Sequence, residues 1–334
     1  MPASLKSLII ILIAAAFFPA CSSDDEPALP DSKKQIIVLF SPGGLGDMSY
    51  NDRILQGVQS FRKQWRDKVD IYIYCPGSVD EGKRVFADWL ALPGDGVPAL
   101  FVVASSDYEP MMQECFAKDS LTGHQQVLLF ESNNSQHMPV STFQISMFGP
   151  SYIAGRTVAV RGLKAPLIVL ANPSDSPIRT AADGFRAGFG EGTTTLYLAD
   201  DWKGYVAATE TYHNMSEWSR DHDFVFSVAG GSNSGIYRYA RENADAPLLA
   251  GMDVDQSSLA SAIIGSVIKN IDKAIVEYLS AWMETGKLPA SQVYGLGSGY
   301  SDWCVAPGYP MLEDVKQGLI QEAIQKEKEY HESL

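Results

Sequence analysis

The sequence predicts an α/β protein with two lobes, each built on a parallel sheet flanked by helices, and with a ligand cleft between the lobes. Three observations lead to this prediction. Strand-like apolar segments alternate with amphipathic helical segments from residue 35 onward, and this alternation occurs in two runs of similar length. The chain has 334 residues, which is long enough for two domains. Because open α/β sheets bind ligands at the carboxyl ends of their strands, two such lobes create a cleft where those ends face each other.

The first run begins with a continuous apolar stretch at residues 36–40, which is typical of a strand buried on both faces. A glycine-rich loop follows, and Ile54, Val58 and Phe61 then recur at helical spacing. The other predicted elements of this run are strands at 69–74, 100–103 and 126–130 and helices at 79–92 and 108–118.

The second run repeats this rhythm from residue 151 onward. Its strand segments are again short and apolar, so the second half also predicts a parallel sheet that is covered on both faces. The predicted helices lie at 151–163, 177–189, 203–219 and 234–242, and the predicted strands at 167–170, 196–198, 224–228 and 248–252.

Composition and motifs limit the class of protein. Hydrophobic residues make up 46% of the chain, as in an ordinary globular protein, and the formal net charge is −14. An acidic surface argues against nucleic acid as a partner, because phosphates attract basic surfaces. The loop at 43–47 lacks the G-x-G-x-x-G order and no P-loop lysine follows, so no cofactor is predicted. The motifs G-x-S-x-G and H-E-x-x-H are also missing, which favours a binding protein without catalytic residues over an enzyme.

The N-terminus resembles the signal peptide of a bacterial lipoprotein. Lys6 precedes an apolar run at 8–18, which is shorter than the roughly 20 residues that span a bilayer. Ala20 and Cys21 follow in the manner of a lipobox, in which the cysteine is acylated and becomes the mature N-terminus. A plain cleaved signal with a free Cys21 and a retained transmembrane helix are the alternatives.

The lipoprotein interpretation predicts the layout of the N-terminal segment. Residues 1–20 are the signal peptide, Cys21 carries the lipid, and residues 21–34 form an acidic tether. The acidic run at 24–26 resembles the tether of surface-displayed lipoproteins. We therefore expect a membrane-anchored protein of the outer membrane or cell envelope, displayed at the cell surface.

The other cysteines are Cys75, Cys115 and Cys304, an odd number that cannot form a full set of disulfides. Cys75 ends a strand-like run and Cys115 lies in a helical pattern, so both are predicted to be small buried apolar side chains. The spacing of cysteine and histidine does not indicate zinc, and no metal site is predicted.

Polar residues follow three of the predicted strands. The loop after the first strand is expected to turn tightly and to bring Asp47, Ser49 and Asn51 to the cleft. Residues 229–235 open a helix whose backbone N–H groups are available to a polar ligand. Asp253 follows a buried strand and offers two oxygens to vicinal hydroxyls. The simpler interpretations are a turn-forming loop at 229–235 and an aspartate that caps the next segment.

Seven segments carry a resemblance to a known family, in the family's order. Residues 46–51, with Gly57, resemble D-x-S-F-N…G, and residues 251–256 resemble G-V-D-S-D-Q. Residues 266–272 resemble S-V-V-K-N-V-D. The other matches are S-Y-I-A-G at 151–155, P-I-R at 177–179 with G-F-R-A-G at 184–188, V-A-G-G-S-N-S-G at 228–235 and Y-G-L at 294–296. The chain thus resembles the basic membrane protein family, which comprises PnrA-like, nucleoside-binding lipoproteins of ABC importers.

The resemblance implies the type I periplasmic-binding-protein fold, in which two Rossmann-like lobes joined by three crossovers close on the ligand. It implies a first lobe of residues 35–145 plus 254–290 and a second lobe of residues 146–253 plus 291–334.

The resemblance also implies site residues by matched position. Asp47 and Asn51 would bond a base, and Gly231 would line the sugar. Asp253 and Lys269 would hold the ribose hydroxyls, with Lys269 lying beside the buried Asp253 carboxylate.

Two departures from the family pattern lie where the base is expected. Leu198 replaces an aromatic residue that stacks on the purine, and the family's G-x-G-F is replaced at 104–107, where Asp107 is still expected to face the cleft. Tyr50 and Trp202 are the candidate aromatic walls. Since stacking contributes about 1–3 kcal/mol per base, we expect a ribose-like diol to be recognised more strictly than the base.

The leading hypothesis is a solute-binding lipoprotein that captures a nucleoside-like or sugar-like small molecule. Its expected partners are that ligand, the membrane through the lipid anchor, and an ABC permease. One alternative is a sensor that presents its ligand to a membrane receptor. The other is a nucleoside hydrolase, for which Asp253 and Asp255 are the candidate carboxylates.

Overall fold

The computed structural model describes residues 33–93 and 96–334 of the chain. Residues from Lys33 onward form one compact unit. The predicted signal peptide, the predicted lipidation at Cys21 and nearly all of the predicted tether lie outside the described residues. Among the residues that are described, we find no helix with the length and apolar character needed to cross a bilayer.

The strands and helices alternate along most of the chain, as the apolar pattern predicts. In the described part of the chain the strands are β1 (Lys34–Leu39), β2 (Val69–Tyr74), β3 (Ala99–Val103), β4 (Gln125–Phe130), β5 (Ser141–Ile145), β6 (Pro166–Leu170), β7 (Thr194–Tyr197), β8 (Phe224–Val228), β9 (Leu248–Asp253), β10 (Ile263–Lys269), β11 (Gln292–Tyr294) and β12 (Ser301–Val305). The helices are α1 (Tyr50–Trp65), α2 (Val79–Leu90), α3 (Glu109–Phe116), α4 (Phe148–Val160), α5 (Ser176–Phe189), α6 (Ala208–Asp221), α7 (Asn233–Glu242), α8 (Ile271–Thr285) and α9 (Leu312–Glu332).

The strands form two six-stranded sheets, one in each lobe. The strand order is β11-β5-β4-β3-β1-β2 in the first sheet and β12-β10-β9-β8-β6-β7 in the second. Neighbouring strands are parallel, with the exception of the antiparallel pair β10–β12. This arrangement confirms the predicted α/β class with two parallel-dominated sheets.

Each sheet lies between two layers of helices. In the first lobe, α1 and α8 pack on one face around Phe61 and Trp282, while α2 and α3 cover the other face around Phe86 and Tyr108. In the second lobe, α4, α5 and α9 cover one face and α6 with α7 the other. Burial on both faces explains why β3, β6 and β8 are buried at every position and apolar except for Ser227 in β8, whose hydroxyl donates to Asn233.

The division of the C-terminal third differs from the predicted lobe boundaries at two places. The predicted first lobe includes 254–290, but β10 within this range pairs with β9 and β12 in the second sheet, and only α8 packs in the first lobe. The predicted second lobe includes 291–334, but β11 pairs with β5 in the first sheet. The chain crosses between the lobes after β5, β10 and β11 in the described residues. An apolar pattern indicates that a strand is buried but does not indicate which sheet the strand belongs to. The lobe boundaries are therefore set by the pairing of strands in the tertiary structure.

Strand β2 lies at an edge of the first sheet, and Cys75 follows it. The side chains of its second half are largely exposed, and Cys75 is exposed as well. The prediction that Cys75 is buried is therefore wrong, whereas Cys115 is buried in α3 as expected. The physical reason is that an edge strand has a partner on one side only, and the sequence of β2 is more polar than that of the central strand β3, since it contains Asp70, Tyr72 and Tyr74.

Candidate ligand-binding site

A cavity lies between the lobes, where the carboxyl ends of the strands of both sheets meet. The space between atoms there is about 690 Å³, part of which is open to solvent. Seven of the predicted site residues line the cavity: Asp47, Tyr50, Asn51, Asp107, Gly231, Asp253 and Lys269.

Asp47 holds the N-terminus of α1 in place. One of its carboxylate oxygens accepts hydrogen bonds from the backbone N–H groups of Ser49 (3.0 Å) and Asp52 (3.2 Å). The other accepts from the backbone and side-chain amides of Asn51, at 2.8 and 3.1 Å. Burial raises the pKa of the Asp47 carboxyl, and these backbone donors oppose that shift. Asp47 therefore positions the helix end that carries Tyr50 and Asn51 into the cavity.

Asn51 is oriented by the same loop. Its side-chain oxygen accepts a hydrogen bond from Ser41 Oγ at 3.0 Å, and its amide nitrogen donates to Asp47. The side chain is buried, so its orientation is fixed before any ligand enters. The remaining donor capacity of the amide is available to an acceptor in the cavity.

Lys269 pairs with Glu131 across the cavity. Its Nζ lies 3.1 Å from Glu131 Oε2, and both side chains are about 5% exposed. Lys269 ends β10 in the second lobe, whereas Glu131 follows β4 in the first lobe, so this ion pair joins the two lobes. The expected partner of Lys269 was Asp253. The positive charge of Lys269 does lower the pKa of Asp253 against the larger, opposite effect of burial, but the direct contact is with Glu131.

Asp253 accepts a hydrogen bond from Ser49 Oγ, again across the two lobes. The Nε2 of Gln256 makes a third contact of this kind by donating to Met48 O at 3.0 Å. Ser49 and Met48 precede α1 in the first lobe, whereas Asp253 ends β9 in the second lobe and Gln256 follows it. The two lobes are therefore in contact through Ser49, Met48 and the Lys269–Glu131 pair.

Two of the cavity carboxylates stand on left-handed backbone at the ends of strands. The φ angle is 58° at Glu131 and 66° at Asp253. Residues other than glycine adopt this conformation rarely, and it costs on the order of 1 kcal/mol or more each. A strained backbone persists where the surrounding structure fixes it. Here the left-handed backbone directs both carboxylates into the same cavity.

Asp107 and Asp175 add negative charge to the cavity from opposite lobes. Burial raises the pKa of Asp107 to about 6, and the charge of Asp175 contributes to this rise. Burial also raises the pKa of Asp175, whereas the hydrogen bond that it accepts from the Tyr205 hydroxyl lowers it. Asp175 precedes α5 and Tyr205 belongs to the loop after β7, so both lie at the carboxyl edge of the second sheet.

The aromatic walls are Tyr50 and Tyr205, whereas Trp202 does not line the cavity. Residues Trp202–Tyr205 form a short 3-10 helix, and Gly204 packs so closely that a Cβ there would lie 1.9 Å from Ala171 O. This contact fixes the turn with Tyr205 directed inward. The prediction of Trp202 as a wall is therefore wrong, because a sequence pattern does not determine which side of a short turn faces the cleft.

Leu198 does not line the cavity either. It packs against the apolar cores on both faces of the second sheet. Its difference from the family's aromatic residue therefore does not remove a wall of this cavity.

Gly231 does lie at the wall, where a Cβ would be 3.1 Å from Tyr205 O and 3.6 Å from Asp47 Cβ. A side chain at this position would therefore crowd Tyr205 and the facing first lobe.

Sequence reasoning missed Glu131, Asp175 and Tyr205. A signal for the two carboxylates was present, because Glu131 directly follows β4 and Asp175 lies in the loop after β6. The same rule that selected Asp253, an acidic residue just beyond a buried strand, would have selected both. No comparable signal marks Tyr205.

Acceptors dominate the polar surface of the cavity. Its lining includes the carboxylates of Asp47, Asp107, Glu131, Asp175 and Asp253, and Lys269 is the basic residue among the described lining residues. Oε1 of Glu131 and Oδ1 of Asp175 are buried without a hydrogen bond in the described structure, as is the Tyr50 hydroxyl, whereas Oε2 of Glu131 contacts Lys269. Buried acceptors that lack a donor are costly, so the cavity is suited to a ligand that brings several donors.

Solved structures that superpose on this chain define its fold. An ABC transporter solute-binding protein from Aeropyrum pernix K1 superposes with a TM-score of 0.69 at 17% identity, over 86% of this chain and 92% of that chain. A solute-binding protein from Burkholderia graminis C4D1M, solved with D-arabinose, gives 0.58 at 13% identity, over 80% and 94%. A transcriptional activator from Bacillus halodurans gives 0.62 at 14% identity, over 86% and 98%. The fold is thus that of the type I periplasmic binding proteins, which hold a ligand between two lobes.

Sequence comparison places the chain within that class. Residues 34–300 match the model of the Bmp family, described as ABC transporter substrate-binding protein PnrA-like. The chain belongs to this family, and the resemblance drawn from the sequence motifs is confirmed. It is therefore a solute-binding protein of an ABC transport family. No curated protein sequence matches the chain.

Proposed function

We propose that this protein captures a nucleoside-like or sugar-like molecule for an ABC permease while a lipid at Cys21 anchors it to the membrane. The observation that carries the ligand class is the excess of carboxylates in a buried cavity. Oε1 of Glu131 and Oδ1 of Asp175 lack a donor, and hydroxyl groups or amino groups of a ligand would supply the missing hydrogen bonds. A ligand with a phosphate would instead add negative charge to an acidic, buried site.

The two sides of the cavity suit the two parts of such a ligand. Asp253 and Lys269 form the polar side, on which a vicinal diol can bond a carboxylate and an ammonium group together. Tyr50 and Tyr205 provide the flat apolar surface on which a ring can lie. D-arabinose bound to the Burkholderia graminis protein is consistent with a hydroxyl-rich ligand in this fold.

A thermal-shift screen of nucleosides, bases and sugars tests this proposal, because a ligand that binds the folded state raises the melting temperature. Calorimetry then compares the best nucleoside with its 2′-deoxy form and its 5′-monophosphate. We expect each change to weaken binding by at least about tenfold, equal to about 1.4 kcal/mol. The Asp253→Asn variant should lose the discrimination between the ribo and deoxy forms. Free bases that bind as tightly as nucleosides, or a monophosphate that binds equally well, would contradict the proposed ligand class.

The lipid anchor has a separate test. A Cys21→Ser protein should leave the membrane fraction, and mass spectrometry of the wild type should show an acylated Cys21 as the first residue. Accessibility to a protease on intact cells then distinguishes surface display from a location inside the envelope. A Cys21→Ser protein that still fractionates with membranes would show that the anchor lies elsewhere.

Incubation with the bound nucleoside separates a binding protein from a hydrolase. A hydrolase would use the cavity carboxylates to activate water. Among the described residues no group of three His, Cys, Asp or Glu side chains is placed to hold a metal ion. A solute-binding protein releases the nucleoside unchanged, whereas the appearance of free base would establish hydrolysis.

A further inference from the structure

A basic groove lies on the side of the first lobe, outside the ligand cavity. It is bordered by the second half of α1 and by the edge strand β2. Two acidic side chains, Asp67 and Asp70, lie among its basic residues, which are Lys33, Arg62, Lys63 and Arg66. A surface with more basic than acidic groups is unexpected on a protein whose net charge is −14.

The ion pairs at this groove are exposed and weak. Lys33 Nζ lies 3.4 Å from Asp70 and Arg66 Nε lies 3.8 Å from Asp67, with these side chains between 45% and 92% exposed. Such pairs contribute about 0–1 kcal/mol and leave the cations free to exchange partners. Arg62 and Lys63 are exposed and form no ion pair within 4 Å in the described part of the chain.

Large apolar side chains are exposed along the same edge of the sheet. Tyr72 is 47% exposed and lines the basic groove, and Ile73 and Tyr74 are 42% and 43% exposed. Tyrosine is enriched where one end of a side chain meets an apolar layer and the other meets water, as at a membrane interface. The edge therefore combines cations with interfacial aromatic side chains.

The position of the groove points to its partner. Lys33 lines the groove and is the residue at which the described fold begins, so the chain enters the fold from the segment that contains Cys21. The N-terminal end of α1 lies at the ligand cavity, whereas the groove lies along the second half of the helix. A partner at the groove is thus close to the tether and leaves the cavity accessible.

We propose that this basic edge binds the anionic phosphate headgroups of the membrane to which the protein is tethered. The cations contact phosphate groups, and Tyr72 and Tyr74 lie in the headgroup layer. Phosphates complement the groove, whereas the rest of this acidic protein is repelled by an anionic surface. A second copy of the chain is disfavoured, because a symmetric contact through the groove would bring cations against cations.

The test uses residues 22–334, which carry no lipid, so it is independent of the proposed anchor and of the proposed ligand. Co-sedimentation is measured with vesicles of phosphatidylcholine and with vesicles that also contain phosphatidylglycerol. We expect at least about tenfold stronger partitioning to the anionic vesicles, since each basic residue near such a surface contributes about 1 kcal/mol, and we expect high salt to abolish it.

Two charge-reversal variants localise the effect. Arg62→Glu, Lys63→Glu and Arg66→Glu together should reduce partitioning to the level seen with phosphatidylcholine. The matched control reverses three exposed cations elsewhere, Lys118→Glu, Arg220→Glu and Arg241→Glu, and thereby changes the net charge equally. It should retain most of the preference for anionic vesicles.

The tyrosines have their own variant. Tyr72→Ser with Tyr74→Ser should weaken binding while the salt dependence stays. Melting temperatures verify that every variant is folded.

Several outcomes would overturn the proposal. These are equal partitioning to both kinds of vesicle, a groove variant that binds as well as the wild type, or a control variant that loses binding to the same extent. Self-association that depends on Arg62, Lys63 and Arg66 without binding to vesicles would instead assign the groove to a second copy of the chain.

Discussion

Replacing Lys269 by methionine tests whether the ion pair across the cavity controls closure of the two lobes. Lys269→Met keeps most of the volume of the side chain but leaves Glu131 buried without its partner, 3.1 Å away in the wild type. Removing one member of a buried ion pair costs about 3–5 kcal/mol while the surviving charge stays buried. That cost corresponds to about 150- to 5,000-fold in an equilibrium constant.

The protein can avoid this cost by opening. Glu131 belongs to the first lobe and Lys269 to the second, so separation of the lobes returns Glu131 to water without unfolding either lobe. We therefore expect the cost to appear as opening of the unliganded variant and as lost ligand affinity, by about 100-fold or more, to which the lost contact of Lys269 with the ligand also contributes, and only slightly as a lower melting temperature. Small-angle scattering should show a larger radius of gyration for the unliganded variant.

Calorimetry with the best ligand from the thermal-shift screen measures the effect. Lys316→Met is the matched control, because Lys316 pairs with Asp302 at 2.9 Å within the second lobe. It should leave the affinity unchanged. Adding Glu131→Gln to Lys269→Met removes the unpaired charge and should restore the compact form. An unchanged affinity in Lys269→Met, or a loss that appears entirely in the melting temperature, would refute the assignment of this pair to lobe closure.

Two other predictions concern stability. The raised pKa of Asp107, about 6, means that the folded protein holds this proton where the unfolded chain has lost it, so the contribution of Asp107 to stability rises as pH falls from about 7 toward 4. Asp107→Asn should therefore stabilise the unliganded protein at pH 7.5 by at most about 3 kcal/mol. The melting temperature of the variant should also depend less on pH between 7.5 and 5 than that of the wild type. Identical pH profiles of the two proteins would show that Asp107 is hydrated. In the second lobe, Gly155→Ala places a Cβ 2.2 Å from Phe185 O between α4 and α5, and should lower stability by about 1–3 kcal/mol. Calorimetry should show unchanged ligand affinity, since Gly155 lies away from the cavity, and a variant as stable as the wild type would contradict the close helix contact.

The sequence by itself determined the class of fold and the place of the site. The alternation of apolar strands and amphipathic helices indicates burial and periodicity. Both are local properties, so they can be predicted without knowing which segments are neighbours in the fold. The rule that ligands lie at the carboxyl ends of parallel strands then selected Asp47, Asn51 and Asp253, and the structure places these side chains at one cavity. The motif order was also sufficient to recognise the family.

Only the tertiary structure decided which elements are neighbours. The pattern predicted strands at both β3 and β2, and only the pairing of the strands showed that β3 is central and that β2 lies at an edge of the sheet. Lys269 forms an ion pair with Glu131, which lies 138 positions earlier in the chain. This contact is possible because β10 belongs to the second sheet and directs the lysine toward the facing lobe. Tyr205, and not Trp202, became a wall because Gly204 fits against Ala171. Each of these outcomes depends on contacts between distant segments, which no local pattern encodes.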